Sequence, residues 1–233
     1  MEAVILAGGK GSRLQPYTHD IPKPLVSVGG VPVVEVLLNR MHKAGVTRVH
    51  LAVNHLAPMI EQTLGQGERF GLELIYWHED TPLSTVAPIA RMTGLPEHFL
   101  VANGDILTDL DLKKLYDYHM AHPAQVTVAV KHRSHPVEYG VLVLDDEQRV
   151  VGFREKPRLN FTVSMGIYVF SRSVLKLVPG ERAYGFDDLM RELLDTEQPI
   201  NAYPFDGYWL DIGSPEDYLQ ANSDITRIKS LLR

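Results

Sequence analysis

One stretch near the start limits what this chain can fold into more than any other. The apolar run Ala3-Val-Ile-Leu-Ala7 meets Gly8-Gly9-Lys10-Gly11-Ser12-Arg13, and Pro22-Lys23-Pro24-Leu25 follows shortly after. A short apolar run bounded by glycines reads as a fully buried strand, central in a parallel sheet. Three glycines in four positions let the backbone turn sharply and aim several N–H groups at one anion. Arg13 and Lys23 add two positive charges beside that cradle. Gripping a polyphosphate while charge moves on it is the chemistry this suits.

Two common phosphate motifs do not fit. Lys10 precedes Gly11, so there is no G-x-x-x-x-G-K-[ST] octet, and Gly9-Lys-Gly11-Ser-Arg-Leu14 ends in leucine where a dinucleotide fingerprint needs a third glycine. Taken as a whole, Leu6-Ala-Gly-Gly-Lys-Gly-Ser-Arg-Leu14, with Pro16 and Pro22-Lys-Pro-Leu25, resembles the signature of the sugar-1-phosphate nucleotidyltransferases. The same resemblance continues, in order, through Gly104-Asp105, Tyr139-Gly-Val141, Glu155-Lys-Pro157, Gly166-Ile-Tyr-Val-Phe170 and Trp209-Leu-Asp-Ile-Gly213. The blocks span about residues 3 to 222. Longer relatives add a β-helix or acyltransferase domain, so the chain resembles a minimal member, similar to the mannose- and heptose-1-phosphate guanylyltransferases.

Composition narrows the function classes. A net charge of −6 argues against a nucleic-acid binder, whose footprint is a basic stripe. The absence of cysteine excludes disulfides, thiolate catalysis and thiolate metal sites, and is compatible with a cytoplasmic protein. The N-terminal apolar run lacks a basic flank and stops at Gly8, unlike a signal peptide, and no apolar stretch is long enough to span a membrane. With 233 residues, one α/β domain is expected over 1–233, with a nucleotide-binding half at about 1–122 and a sugar-phosphate-binding half at about 123–233.

Periodicity predicts strands at 3–7, 49–53, 72–77 and 98–102, alternating with helices at 32–44, 57–64, 85–92 and 110–122. That alternation indicates a doubly wound, mostly parallel sheet of Rossmann-like type, with ligands beyond the carboxyl ends of its strands. The Gly8–Arg13 loop and Asp105 both follow strands and are predicted to share one edge. Beyond residue 122 come four strands with little helix between them, at 126–130, 140–144, 150–154 and 163–170, with a hairpin turn at 145–148. This antiparallel sugar-binding subregion is expected to form the far wall of a cleft opposite the phosphate loop. Helices at 172–177 and 186–194, a strand at 208–212 and a closing helix at 215–232 capped by Ser214 complete the reading.

Asp105 follows a buried strand, and Asp211 sits among Trp209, Leu210 and Ile212. Carboxylates in apolar surroundings are costly unless paired or bound to a metal. Two lone aspartates suit Mg²⁺, which takes one or two carboxylates plus substrate phosphates. The family resemblance implies that Asp105 and Asp211 hold that ion, and that Glu155 and Lys156 bind sugar hydroxyls and sugar phosphate. It also implies that Tyr139, Gly140 and Ser164 line the sugar site. Leu6, Ala7, Gly8, Gly9, Lys10, Gly11, Glu79, Ser84, Thr85 and Gly104 are assigned to the nucleotide, and Arg13 and Lys23 to catalysis. The implied reaction joins an NTP to a sugar 1-phosphate and releases pyrophosphate, without a protein nucleophile because the attacking phosphate is already an anion.

Two blocks depart from the family. Its L-G-T-A-G stretch is Leu83-Ser-Thr-Val-Ala87 here, so Ser84 replaces a glycine, and Ser164-Met165 stands where an asparagine precedes the G-I-Y block. Glu79 points to the base. A carboxylate only accepts, which suits the N1–H and N2–H₂ donors of guanine better than uracil or thymine, so GTP is preferred. The alternatives are uridylyl or thymidylyl transfer, and a catalytically idle subunit that binds nucleotide sugars. A dinucleotide oxidoreductase is disfavoured, because Ala52-Val53-Asn54 ends the second strand without an acid. The residues do not select the sugar or the oligomeric state; a homodimer is among the options.

Overall fold

The computed structural model describes residues 1–79, 81, 83–179, 182–224 and 226. In chain order its elements begin with β1 (Glu2–Leu6), β2 (Ser27–Val28), β3 (Val31–Pro32), α1 (Val33–Lys43), β4 (Arg48–Val53), α2 (Ala57–Leu64) and β5 (Glu73–His78). Next come α3 (Ala87–Ala90), β6 (His98–Asn103), β7 (Ile106–Thr108), α4 (Leu112–Ala121), β8 (Val126–Pro136), β9 (Val141–Leu144) and β10 (Val150–Arg154). The last are β11 (Arg158–Ser171), α5 (Phe186–Asp195), β12 (Ile200–Pro204), β13 (Trp209–Asp211) and α6 (Pro215–Ser223).

Seven strands form one sheet in the order β12-β8-β11-β6-β1-β4-β5. From β6 to β5 every neighbour is parallel, as the βα alternation requires. At β11 the direction reverses: β11 is antiparallel to both β6 and β8, and β12 returns parallel to β8. β8 and β11 are therefore a continuation of the same sheet, whereas β9 and β10 pair only with each other. Two cores cover its faces. One packs Ile5, Leu51, Leu100 and Ile167 against Leu37, Met41, Ile60 and Leu115 from α1, α2 and α4. The other packs Val4, Val101, Val128 and Phe170 against Ile89, Leu189 and Leu193 from α3 and α5.

Local chemistry accounts for the limits. Pro32 stands immediately before α1, and Gly45 just beyond it takes a φ of 86°, which ends the helix. Pro88 shortens the expected 85–92 helix to the single turn of α3. The 172–177 segment is a 3₁₀ helix. Ser214 caps α6 reciprocally with Asp217; of the 215–232 helix read from the sequence, residues 225 and 227–232 lie outside the described residues.

Candidate active site

The site opens at the carboxyl ends of β1 and β6, which lie side by side with Leu6 level with Asn103. The loop after β1 is folded by its own backbone. Gly11 adopts φ 64°, Leu14 N–H donates to its carbonyl at 2.9 Å, and the Thr18 hydroxyl donates to the same oxygen at 2.7 Å. Leu14 is fully buried and anchors the short 3₁₀ turn carrying Arg13. A second 3₁₀ turn, Lys23–Leu25, is pinned by the buried Pro24 and Leu25, so Lys23 leaves a rigid base. The Lys23 ammonium donates to Asp105 Oδ2, an ion pair across the mouth of the loop.

Asp211 reaches this point through a small antiparallel pair, in which Asp211 of β13 stands opposite Ile106 of β7. Ile212 N–H donates to the Asp105 carbonyl at 3.1 Å. Burial, and then the Asp105 charge, push the Asp211 carboxyl up to about 6, against the pull of Lys23 and Arg13. Asp105 Oδ1 and Asp211 Oδ1 are both buried without a hydrogen-bond partner among the described residues. Two unsatisfied oxygens on carboxylates close enough to repel each other suit a divalent cation, so the residues present fit a hard, oxygen-loving ion such as Mg²⁺.

A cleft of about 420 Å³ gathers Leu6, Ala7, Gly8, Gly9, Gly11, Arg13, Lys23, Glu79, Ser84, Thr85 and Asp105. These are the phosphate loop, both cationic side chains, one aspartate and the candidate base-contacting residues. Glu79 follows β5, its backbone fixed by Val53 at 3.0 Å and by the Asn54 amide at 2.7 Å. Its carboxylate accepts from Leu83 N–H at 3.3 Å, and burial raises its pKa. A Cβ on Gly8 would lie 3.0 Å from Glu79 Oε1, so glycine is what lets this carboxylate stand against the loop. Gly9 would project a Cβ into open space.

Ser84 takes φ 68°, the left-handed conformation that a glycine would hold without strain. The 83–87 segment is zipped to the start of α5: Tyr184 N–H donates to the Leu83 carbonyl at 3.0 Å, and Phe186 N–H to Thr85 Oγ1 at 2.9 Å. Lys10 is exposed and Gly104 is buried under the Leu6 carbonyl; neither lines the cleft. Asp211 is outside that lining.

Tyr139, Gly140, Glu155, Lys156 and Ser164 are also outside it. The first four lie on a projecting arm. The Ser164 hydroxyl bonds Tyr168 Oη at 3.1 Å beside a second pocket of about 210 Å³. That pocket shares Leu6, Thr85 and Asn103 with the cleft and is walled by Tyr168, Phe170 and Phe186. Tyr168 is buried and also lines this pocket. Asn103 was missed, although the Asn-Gly-Asp run at the end of β6 carried the signal.

The family profile described as Nucleotidyl transferase matches residues 2–228. The chain belongs to the nucleotidyl transferase family. Among its relatives, the mannose-1-phosphate guanylyltransferase of Mycobacterium tuberculosis is 35% identical over 97% of this chain and 65% of its own length. The mannose-1-phosphate guanylyltransferase catalytic subunit beta of Drosophila melanogaster is 34% identical over 93% and 60%. A Synechocystis UTP--glucose-1-phosphate uridylyltransferase is 34% identical over 95% and 62%. The chain thus spans about three-fifths of the length of these curated relatives. Among solved structures, HddC from Yersinia pseudotuberculosis, complexed with GMP-PN, superposes with a TM-score of 0.74 at 26% identity, covering 96% of this chain and 98% of its own.

Proposed function

We propose that this chain transfers a guanylyl group from GTP to mannose 1-phosphate in the cytoplasm, as a Mg²⁺-dependent homodimeric enzyme in which residues 1–233 form one nucleotidyltransferase domain. The observation that carries the reading is the Lys23–Asp105–Asp211 cluster beside the glycine loop, with an unsatisfied carboxylate oxygen on each aspartate. The choice of base draws on Glu79, on the guanylyl transfer named for relatives, and on the guanine nucleotide named with HddC. The sugar follows the names of those relatives.

An oxygen of the sugar phosphate attacks the α-phosphorus, forming a new P–O bond. The bond from the α-phosphorus to the bridging oxygen breaks, and pyrophosphate leaves with the electron pair. Both reactants are anions, so the protein's work is to hold them in line and to spread charge that grows on the phosphoryl oxygens. Amides of residues 8–11 and the Arg13 guanidinium face the triphosphate. Lys23, released from Asp105 or shared with it, meets the α-phosphate. When bound, the metal ion supplies Lewis-acid neutralisation of the phosphates, and Asp105 and Asp211 would hold it. Glu155 and Lys156 receive the sugar hydroxyls and the sugar phosphate.

The test is pyrophosphate release from each of the four nucleoside triphosphates with mannose 1-phosphate and Mg²⁺. Release with GTP is expected. Release with UTP or dTTP but not GTP would end the guanylyl assignment, and no release with any of them would leave nucleotide-sugar binding alone.

A further inference from the structure

Five described residues other than glycine take positive φ: Leu56, Ser84, Gln148, Lys156 and Glu197. Of these only Ser84 lines the cleft. Its φ of 68° is costly for any residue with a β-carbon and easy for glycine. Strain of this kind persists only where the surroundings over-determine it, and it gathers at binding sites.

The surroundings do so on both sides of Ser84. Leu83 N–H donates to the Glu79 carboxylate at 3.3 Å, and the Leu83 carbonyl accepts from Tyr184 N–H at 3.0 Å. Thr85 Oγ1 accepts from Phe186 N–H at 2.9 Å, and the Val86 and Ala87 N–H groups donate to the Tyr184 carbonyl at 3.0 and 3.1 Å. Ser84 is clamped between these fixed neighbours, yet its own hydroxyl has no partner among the described residues. Gly185 keeps the space beside that hydroxyl open, since a Cβ there would lie 2.9 Å from Ser84 Oγ. Glycine would hold the same turn without cost, so the strained serine is explained by what its idle hydroxyl can bind.

The course of the strap indicates what that is. Leu83 is bonded to Glu79 at the rim of the sheet, and Thr85 borders Leu6 and Asn103 at the ends of the central strands. Ser84 falls between them. A nucleoside triphosphate with its base at Glu79 and its phosphates on the glycine loop carries its pentose across that interval. C2′ is bonded to the carbon that bears the base, so the 2′-hydroxyl is the pentose hydroxyl nearer the Glu79 end. Either hydroxyl of such a pair can donate while the other accepts.

We propose that Ser84 is a specificity-determining residue whose hydroxyl bonds the 2′-hydroxyl of the nucleotide, so that the cleft selects ribose over 2′-deoxyribose. The placement rests on the proposed base site at Glu79; the selection of ribose holds whichever base is read. Because the clamp fixes the turn before the nucleotide arrives, little freedom is lost when the bond forms.

The experiment is calorimetric titration of the protein, with Mg²⁺ and without sugar phosphate, using GTP, 2′-deoxyGTP, 3′-deoxyGTP, UTP and 2′-deoxyUTP. The wild type is expected to bind GTP about tenfold more tightly than 2′-deoxyGTP, the scale of one hydrogen bond. Ser84→Ala keeps the β-carbon and the strain, and should bring that ratio to about one while leaving the ratio of GTP to 3′-deoxyGTP as it was. Ser84→Gly should also abolish the preference for ribose, yet melt no lower than the wild type, because it relieves the strain. Equal wild-type affinities for GTP and 2′-deoxyGTP, or a ratio that survives Ser84→Ala, overturn the proposal. A lower melting temperature in Ser84→Gly overturns the argument from strain. If UTP binds and GTP does not, the guanylyl reading fails, and the ratio of UTP to 2′-deoxyUTP in wild type and Ser84→Ala decides the role of Ser84 separately. No binding of any triphosphate overturns both.

Discussion

Asp105 and Asp211 are tied by the hydrogen bond from Ile212 N–H to the Asp105 carbonyl at 3.1 Å, and each keeps one carboxylate oxygen buried and unmatched. Because the two carboxylates repel, the ligand-free fold carries a strain that a divalent ion would relieve.

Asp211→Asn should therefore stabilise the metal-free protein. The Asp211 carboxyl is raised to about 6, so its charged form disfavours the folded state as pH rises from the ordinary value of 3.8 through that range. At pH 8 the neutral isostere is expected to gain about 1–2 kcal/mol, after allowance for partial solvent screening. The same variant should lose the rise in melting temperature that Mg²⁺ gives the wild type. Thermal melts with and without the ion check both halves.

Lys23→Ala and Arg13→Ala should each lower turnover by about 10²–10³-fold, the scale of one lost charge-stabilising donor. Lys23→Ala also strips Asp105 of its ion-pair partner, so the two variants should differ in metal affinity even where turnover falls alike. Single-turnover pyrophosphate release, with circular dichroism to verify the fold, tests this. Near-normal turnover in either variant would remove that residue from the catalytic set.

Glu79→Gln replaces an acceptor-only group with one that also donates. kcat/KM for GTP should fall about 10–100-fold while that for UTP changes little, because only guanine presents two adjacent donors. Gly8→Ala, which places a methyl 3.0 Å from Glu79 Oε1, should reproduce part of that loss. Equal losses for both nucleotides would show that the carboxylate supports the loop and does not read the base.

Away from the cleft, His119 predicts an acid limit. It is 1% exposed, with Nδ1 2.8 Å from Thr127 Oγ1 and Nε2 3.2 Å from both Ser171 Oγ and His98 Nδ1. Burial, then the His98 charge, lower it from 6.5 to about 4. The unfolded chain therefore takes up this proton first as pH falls. Stability is full above 6.5 and declines from there to about 4, by about 2–3 kcal/mol in all. Urea midpoints at pH 7, 5.5 and 4.5 should show the decline, and His119→Gln should flatten it.

The sequence exposed the parts of the fold whose causes are local. The run before Gly8 could only be a buried strand, Pro32 and Gly45 bracketed α1, and the βα spacing dictated the parallel half. The parts that escaped depend on distant partners. β12 holds few apolar residues and ends at Pro204, which an edge strand tolerates, and only its pairing with β8 makes it a strand. β7 is three residues long and exists because β13 lies against it. The site divides in the same way. That the glycine loop and Asp105 both follow strands and share one edge of the sheet was legible. That Lys23 pairs with Asp105, or that the 139–156 residues stand on an arm, is set by tertiary geometry that no spacing encodes.

Glu79 follows β5, the outermost strand, whereas the glycine loop and Asp105 follow β1 and β6 at the middle of the sheet. On the proposed assignment, nucleobase choice falls to the rim and phosphate handling to the hub, with β4 as a spacer between them. If Glu79 reads the base as proposed, a lineage could exchange one base for another by editing the margin alone, leaving the central machinery untouched, and a single frame could serve relatives named for guanylyl and for uridylyl transfer.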